Sequence, residues 1–242
     1  MKSNDGFQFR QFYVRHDRCA MKVGTDGVLV GCLCPGPASA ILDLGCGTGL
    51  IALMLAQRFP EARIVGIDID AAAAAQAADN FAASPWADRL TALCADARSY
   101  AARGGGDSLF ELIVCNPPFY ANSPAASSAA RDRARRTDTL TYEDLALTAE
   151  RLLTDGGRLG VIVPYAEAAD FIHTCWLHGL HLLQRTDIRT APSKPFKRCF
   201  IIFEKTDENK DIETHVLTLL NADGTRSEEY RTLTREFYLF EV

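Results

Sequence analysis

Apolar and polar residues alternate along Phe7-Gln8-Phe9-Arg10-Gln11-Phe12-Tyr13-Val14, the period-two pattern of a half-buried strand. A turn near His16-Asp17-Arg18 is predicted to return it through Cys19-Ala20-Met21-Lys22-Val23 as a hairpin. A short helix follows over Val28–Leu33, with Thr25 or Asp26 as its N-cap, before Pro35-Gly36-Pro37 breaks the chain. From residue 40 strands and helices alternate. Strand Ala40–Leu44 leads to helix Leu50–Phe59, strand Arg63–Ile67 ends on Asp68, and helix Ala71–Ala83 follows. Strand Leu90–Cys94 ends at Asp96 and strand Leu109–Cys115 at Asn116. Helix Tyr142–Leu153, capped by Thr141, precedes strand Arg158–Val163, helix Glu167–His178 and strands Leu182–Arg189 and Cys199–Lys205. A charged turn over Asp207–Asp211 separates these from a last strand or hairpin made of Thr214–Leu219 and Phe237–Phe240.

Strands alternating with helices imply right-handed βαβ units. The expected architecture is α/β, with a seven-stranded, mostly parallel sheet, helices on both faces and a short N-terminal hairpin. Residues 1–34 form the hairpin and short helix capping the site; residues 35–242 form the main body, within one structural domain overall.

Composition narrows the class. Of 242 residues 48% are hydrophobic, ample for a core, yet no apolar run reaches the length of a membrane span. The first residues lack the apolar segment of a signal peptide, so the expected location is cytoplasmic. Eight cysteines without a C-x-x-C pair read as reduced, packed thiols. His178 and His181 straddle Gly179 without partner ligands, and no metal is expected. The net charge of −5 argues mildly against nucleic acid, but it hides two basic clusters. Arg131, Arg133, Arg135 and Arg136 form one, and Lys194, Lys197 and Arg198 the other. Such clusters are often only solvated faces, and RNA contact requires them to meet on one side of the fold.

The central chemistry starts at Asp43-Leu44-Gly45-Cys46-Gly47-Thr48-Gly49, where a buried strand runs through three glycines into a helix. A strand ending in this way opens a ligand crevice at its carboxyl end. A dinucleotide fingerprint would read G-x-G-x-x-G, with helix amides aimed at a pyrophosphate. The run here is G-x-G-x-G, preceded by an acid. It suits S-adenosylmethionine (SAM), which has no phosphate but carries an amino group and a sulfonium for which a carboxylate is useful. A glycine-rich turn without a ligand is the plain alternative. Thr25 and Asp26, just upstream, can either cap their helix or fold over the cofactor.

Asp68, Asp96 and Asn116 end successive strands, where an open α/β sheet binds its ligands. Asp68 follows Asp43 by about the twenty-residue offset of an acid that accepts from ribose hydroxyls. Asn116-Pro117-Pro118-Phe119 is ordinary turn punctuation made notable by its place beside the glycine loop. The prolines fix φ and remove two N–H donors, so carbonyl oxygens can face the site. The Asn116 side-chain oxygen and the Pro117 carbonyl can then accept both hydrogens of a planar –NH₂. Drawing those hydrogens out of plane directs lone-pair density toward a methyl donor, and Phe119 offers a face for a base. No strong base is needed, because the methylated amine loses its proton readily.

The glycine stretch resembles the first motif of class I SAM-dependent methyltransferases, whose Rossmann-like fold the resemblance implies. Asn116–Phe119 resembles the [DNS]-P-P-[YFW] signature of enzymes that methylate adenine N6, cytosine N4 or glutamine N5. Nearly the whole chain is similar to the tRNA(Val) (adenine(37)-N6)-methyltransferase family. The likeness is carried by Phe9-x-x-Phe12-x-Val14, the run His16–Leu29, Asn116–Phe119 and Lys194-Pro195-x-Lys197-Arg198. It implies a tRNA substrate, with Asn116, Pro117, Pro118 and Phe119 as the catalytic motif. Lys22, Thr25, Asp43, Gly45, Gly47, Asp68, Ile69, Asp96, Ala97 and Asn116 would hold SAM. Within that set, Asp43, Gly45 and Gly47 would line the methionine end, Asp68 would hold the ribose, Ile69 would pack on adenine, and Asp96 with the Ala97 amide would read its edge. The two basic clusters would meet the RNA, although the arginine run departs in detail from the form expected of the family. Competing readings are a release-factor glutamine N5-methyltransferase, a DNA adenine-N6 methyltransferase and a SAM-binding protein without catalysis, with a dehydrogenase more distant. Oligomeric state is left open, and a monomer is compatible with the sequence.

Overall fold

Ile41, Leu42 and Leu44 are all fully buried. Consecutive strand side chains point to opposite faces, so this strand is covered on both sides. It lies near the middle of an eight-stranded sheet in a computed structural model that describes residues 5–19, 21–103, 110–117, 140–206, 208 and 210–239. In chain order the elements begin with strands β1 (Gly6–Gln8) and β2 (Tyr13–Arg15), helix α1 (Thr25–Leu33), β3 (Ala40–Leu44), α2 (Leu50–Arg58) and β4 (Arg63–Asp68). Next come α3 (Ala71–Ala82), β5 (Leu90–Cys94), α4 (Ala97–Arg103), β6 (Phe110–Cys115), α5 (Tyr142–Leu152) and β7 (Leu153–Pro164). The last are α6 (Ala168–Leu177), β8 (Leu180–Arg189), β9 (Phe196–Lys205), β10 (Glu213–Thr218) and α7 (Glu228–Thr234).

The strand order is β10-β8-β9-β7-β6-β3-β4-β5, parallel except for β9, which runs against both β7 and β8. From β3 the chain moves outward through β4 to β5, then returns to place β6 on the other side of β3. That reversal opens a crevice at the carboxyl ends of β3 and β6. One face of the sheet buries Ile41 with Leu29, Leu53 and Phe81 of α1, α2 and α3. The other buries Leu42 and Leu44 with Leu145 and Phe171 of α5 and α6.

Local sequence explains the helix starts. The Asp70 side chain accepts the Ala72 amide proton at 2.8 Å, and Thr141 with Asp144 closes a reciprocal capping box. Along α3, Ala73, Ala74, Ala77 and Phe81 face the core, but so do two polar residues, Gln76 and Asn80. Both bond to backbone, and Gln76 Nε2 is left without a partner among the described residues. Asn80 accepts from the Arg15 N–H at 3.0 Å and donates to the Arg15 and Thr48 carbonyls, each at 2.8 Å. Gln76 accepts from the Arg18 N–H at 3.0 Å, and Arg18 also pairs with Asp79. The N-terminal segment is thereby fixed along α3 and onto the glycine loop.

Several expected elements differ. The hairpin exists, but β1 and β2 turn at residues 9–12 rather than at 16–18. Phe9 and Phe12 both point into the core and stack with centroids 4.7 Å apart, and the Phe9 N–H donates to the Phe12 carbonyl. Alternation read as one strand is therefore interrupted by two aromatics that need the same interior. The expected return through 19–23 is not a strand at its described positions. Helix α1 starts at Thr25 after Gly24, without a side-chain cap, because the Asp26 carboxylate instead accepts from Arg198 Nε at 2.8 Å. The sheet has eight strands, not seven: β10 pairs parallel with β8. Helix α4 was not foreseen. Phe237 lies in no strand; it is buried after α7, its N–H donating to the Thr234 carbonyl, and residue 240 lies outside the described residues.

Candidate active site

Gly45, Gly47 and Gly49 all have positive φ, at 69°, 53° and 79°. This left-handed backbone winds β3 into α2, and a Cβ would strain it. At Gly49 a side chain would also strike the Phe81 ring. At Gly45 and Gly47 a Cβ would meet nothing within 4 Å, because those backbones border open space. The loop is pinned from β4: the Gly45 and Cys46 amides donate to the Ile67 carbonyl at 2.9 and 3.0 Å, and the Gly47 amide donates to Asp68 Oδ2 at 2.9 Å. The other Asp68 oxygen accepts from the Asp70 amide at 2.9 Å.

The open space is a cleft of about 300 Å³ over the carboxyl ends of β3, β4, β5 and β6. Of the residues expected to hold the cofactor, Gly45, Gly47, Asp68, Ile69, Asp96, Ala97 and Asn116 line it. Ile69 is 51% exposed, an apolar surface without a covering side chain. Asp96 is held by the Arg98 guanidinium and accepts from the Ser99 amide at 3.0 Å; the arginine contact keeps its carboxyl below the usual range. Ala97 opens α4.

Asp43, Lys22 and Thr25 are not among the lining residues. Lys22 is exposed, and Thr25 begins α1. Asp43 is 0% exposed, on the face of β3 turned toward α2, and its Oδ2 accepts the Ala52 amide proton at 3.1 Å. It thus caps α2 from inside the sheet, a service the side-chain-free Gly49 cannot supply. Burial raises its pKa to about 7, and Oδ1 has no hydrogen-bond partner among the described residues. The expectation that Asp43 lines the methionine end is therefore corrected: the strand pleat turns it away from the cleft.

From the N-terminal segment it is Cys19 and Met21 that line the cleft. A thiol and a thioether in a stretch read as a strand gave no sequence signal. Burial, together with the nearby Asp68 and Asp70 carboxylates, pushes the Cys19 thiol up to about 11. Cys115 and Leu140 complete an apolar wall that was likewise not anticipated.

Asn116 and Pro117 stand beside the glycine loop across the crevice. The Asn116 side-chain oxygen is buried and has no hydrogen-bond partner among the described residues. A buried acceptor left open in this way is rare in folded proteins and marks where donors from a ligand fit. Pro118 and Phe119 lie outside the described residues, as do Arg131, Arg133, Arg135 and Arg136. The second basic cluster is placed. Lys194 and Lys197 are exposed and Arg198 pairs with Asp26, around the β8–β9 turn. Since β9 begins where β7 and β8 end, this turn lies on the same sheet edge as the cleft.

Among the described residues, no group of three or more His, Cys, Asp or Glu is arranged to hold a metal ion. His178 instead contacts Glu143 at 2.8 Å. Also among the described residues, no helix is long and apolar enough to cross a membrane.

Residues 21–170 match the family model of the methyltransferase small domain. A protein from Agrobacterium tumefaciens described as a "predicted O-methyltransferase" superposes with a TM-score of 0.69 at 19% identity, over 89% of this chain and 98% of that one, and shares the fold. A tRNA1(Val) (adenine(37)-N6)-methyltransferase from Photorhabdus laumondii is 40% identical over 98% of this chain and 96% of its own length. One of the same name from Yersinia pseudotuberculosis is 41% identical over 97% and 92%. With the class I fold, the glycine cradle and the open Asn116 acceptor in place, the chain belongs to the tRNA1(Val) (adenine(37)-N6)-methyltransferase family.

Proposed function

We propose that the protein transfers the methyl group of SAM to the exocyclic N6 of adenine 37 in a valine tRNA. The observation that carries the chemistry is the Asn116 side-chain oxygen, buried and without a hydrogen-bond partner among the described residues, on a residue that lines the cleft beside the glycine loop.

The residues present fit SAM. Gly45 and Gly47 leave a cradle that a side chain would fill, next to the buried apolar wall of Leu44 and Cys115. Asp68 uses one lone pair of each oxygen on the Gly47 and Asp70 amides, and a carboxylate keeps further acceptor sites for ribose hydroxyls. Ile69 offers the adenine an apolar face, while Asp96 and the Ala97 amide stand where its edge would be read. When bound, SAM supplies an electrophilic methyl on a sulfonium.

The chain's own part is positional. Asn116 Oδ1 and the Pro117 carbonyl accept the two hydrogens of the target amine and so hold its nitrogen with the lone pair turned toward the cofactor. Fixing the reactants in line supplies much of the acceleration. No strong base is required of these residues, because the methylated, cationic amine gives up a proton readily to solvent.

Label transfer from methyl-labelled SAM to unmodified bulk tRNA tests the reading, with release factor and an adenine-containing DNA duplex as parallel acceptors. N6-methyladenosine in digested tRNA alone is the expected result. Label on glutamine or DNA overturns the substrate while keeping the chemistry, and no label on any acceptor overturns the reaction.

A further inference from the structure

The cleft accounts for β3 to β6, but the carboxyl edge of the sheet continues over β7, β9 and β8. There, directly after the last residue of β7, the Tyr165 ring stacks on Phe196, the first residue of β9, with centroids 5.3 Å apart and planes 29° from parallel. The Arg185 guanidinium lies 5.2 Å from the Tyr165 ring centre and the Arg189 guanidinium 5.6 Å from that of Phe196. Four side chains from three elements thus form one cation–aromatic stack. Tyr165 keeps 37% of its surface exposed despite these contacts.

The charges around the stack are not balanced. Arg185 is paired with Asp187 at 2.7 Å, whereas Arg189, Lys194 and Lys197 have no ion-pair partner among the described residues. Arg189 donates only to neutral acceptors, Thr218 Oγ1 at 2.9 Å and the Pro192 carbonyl at 3.2 Å, and a guanidinium has more donors than these use. An exposed aromatic beside uncompensated cations is the surface that single-stranded nucleic acid recognises: bases stack on rings and guanidinium planes, and phosphates meet the charges. The stack also lies next to the site of chemistry, since β7 pairs with β6 and Asn116 directly follows the last residue of β6.

We propose that this stack is a second nucleotide subsite. It takes a single-stranded ribonucleotide flanking the target adenine, its base against Tyr165 and its phosphates beside Arg189, Lys194 and Lys197. The inference rests on the proposed RNA substrate. It adds a reason why a loop rather than a duplex is engaged: only an unpaired base can leave its neighbours to stack on a side chain.

The test is fluorescence anisotropy with a synthetic valine-tRNA anticodon stem-loop, over a salt series, with methylation of the same RNA in parallel. Tyr165→Ala is expected to weaken RNA binding about tenfold or more while leaving the salt dependence unchanged. Lys197→Ala should reduce the slope of log affinity against log salt by about one. Tyr165→Phe, which keeps the ring, should restore the affinity. S-adenosylhomocysteine affinity and Tm are followed for each variant, because a stack that only braced the sheet edge would lower Tm without a selective loss of RNA. Should the alanine variant not fold, Tyr165→Leu keeps apolar volume without a π-face and carries the same expectation. Wild-type RNA affinity in a folded variant lacking the ring overturns the subsite alone. A wild-type enzyme that neither binds nor methylates the stem-loop overturns the substrate reading, and the subsite with it.

Discussion

The Asp68 carboxylate accepts the Gly47 amide proton at 2.9 Å, so the acid at the end of β4 holds the glycine loop at the end of β3. One residue therefore serves both as a wall of the cleft and as the brace that shapes the opposite wall. Replacing it removes both. Asp68→Ala leaves the Gly47 and Asp70 amides without acceptors, and charge-assisted hydrogen bonds of this kind contribute about 1.5–3 kcal/mol. Calorimetric titration with S-adenosylhomocysteine is expected to show affinity reduced tenfold or more. Asp68→Asn retains one acceptor oxygen and should fall between. An alanine variant with wild-type affinity would remove Asp68 from the cofactor site.

Asn116 makes the opposite separation. Its side-chain oxygen is buried on a residue that lines the cleft, and no described residue donates a hydrogen bond to it. Asn116→Ala is therefore expected to leave Tm and cofactor affinity nearly unchanged while reducing single-turnover methyl transfer by three orders of magnitude or more. Normal turnover in this variant would end the amine-holding role. Lost cofactor binding would move Asn116 to the cofactor pocket.

How much was legible before the structure follows from which forces are local. The strands from Ala40 to Cys115 and their carboxyl-end residues could be read because an apolar run between turn signals encodes a buried parallel strand directly. The direction of Asp43 could not. An acid before a glycine loop reads equally as a cofactor ligand or as a cap for α2, and only the pleat decides between them. The N-terminal turn failed for a related reason: Phe9 and Phe12 satisfy an alternating pattern, yet both enter the core by folding back on each other. The last strand was read at Thr214–Leu219, but its place in the main sheet beside β8 was not, since Glu213–Val216 are exposed and give no buried face to assign it there. Cys19 and Met21 reach the cleft only because Gln76 and Asn80 hold the preceding backbone, a relationship between distant segments.

Asn80 supplies a prediction of its own. It sits on the buried face of an alanine-rich helix and makes three hydrogen bonds, two to Arg15 and one to the Thr48 carbonyl of the glycine loop. Asn80→Ala strands those buried backbone groups, and a loss of about 2–3 kcal/mol in urea denaturation is expected. Cofactor affinity should fall as well, because the loop loses its tie to α3. Asn80→Asp keeps the acceptor for Arg15 but loses both donated bonds and buries a charge, so it should be no better than alanine. Unchanged stability in both variants would show that the N-terminal segment is held elsewhere.

The buried Asp43 gives a pH dependence with a definite sign. Its folded pKa is raised from 3.8 to about 7, mainly by burial, so between those values the folded protein binds more protons at this site than the unfolded chain does. Stability then falls as pH rises through that interval and levels off above about 7. Asp43→Asn cannot titrate, yet its amide oxygen can still accept from Ala52. The difference in Tm, variant minus wild type, is therefore expected to move in favour of the variant between about pH 5 and about pH 8. Comparing the two proteins at each pH cancels the titration of every other group. A constant difference across the series would mean that Asp43 is ionised throughout, with the amino end of α2 stabilising its charge more than burial penalises it.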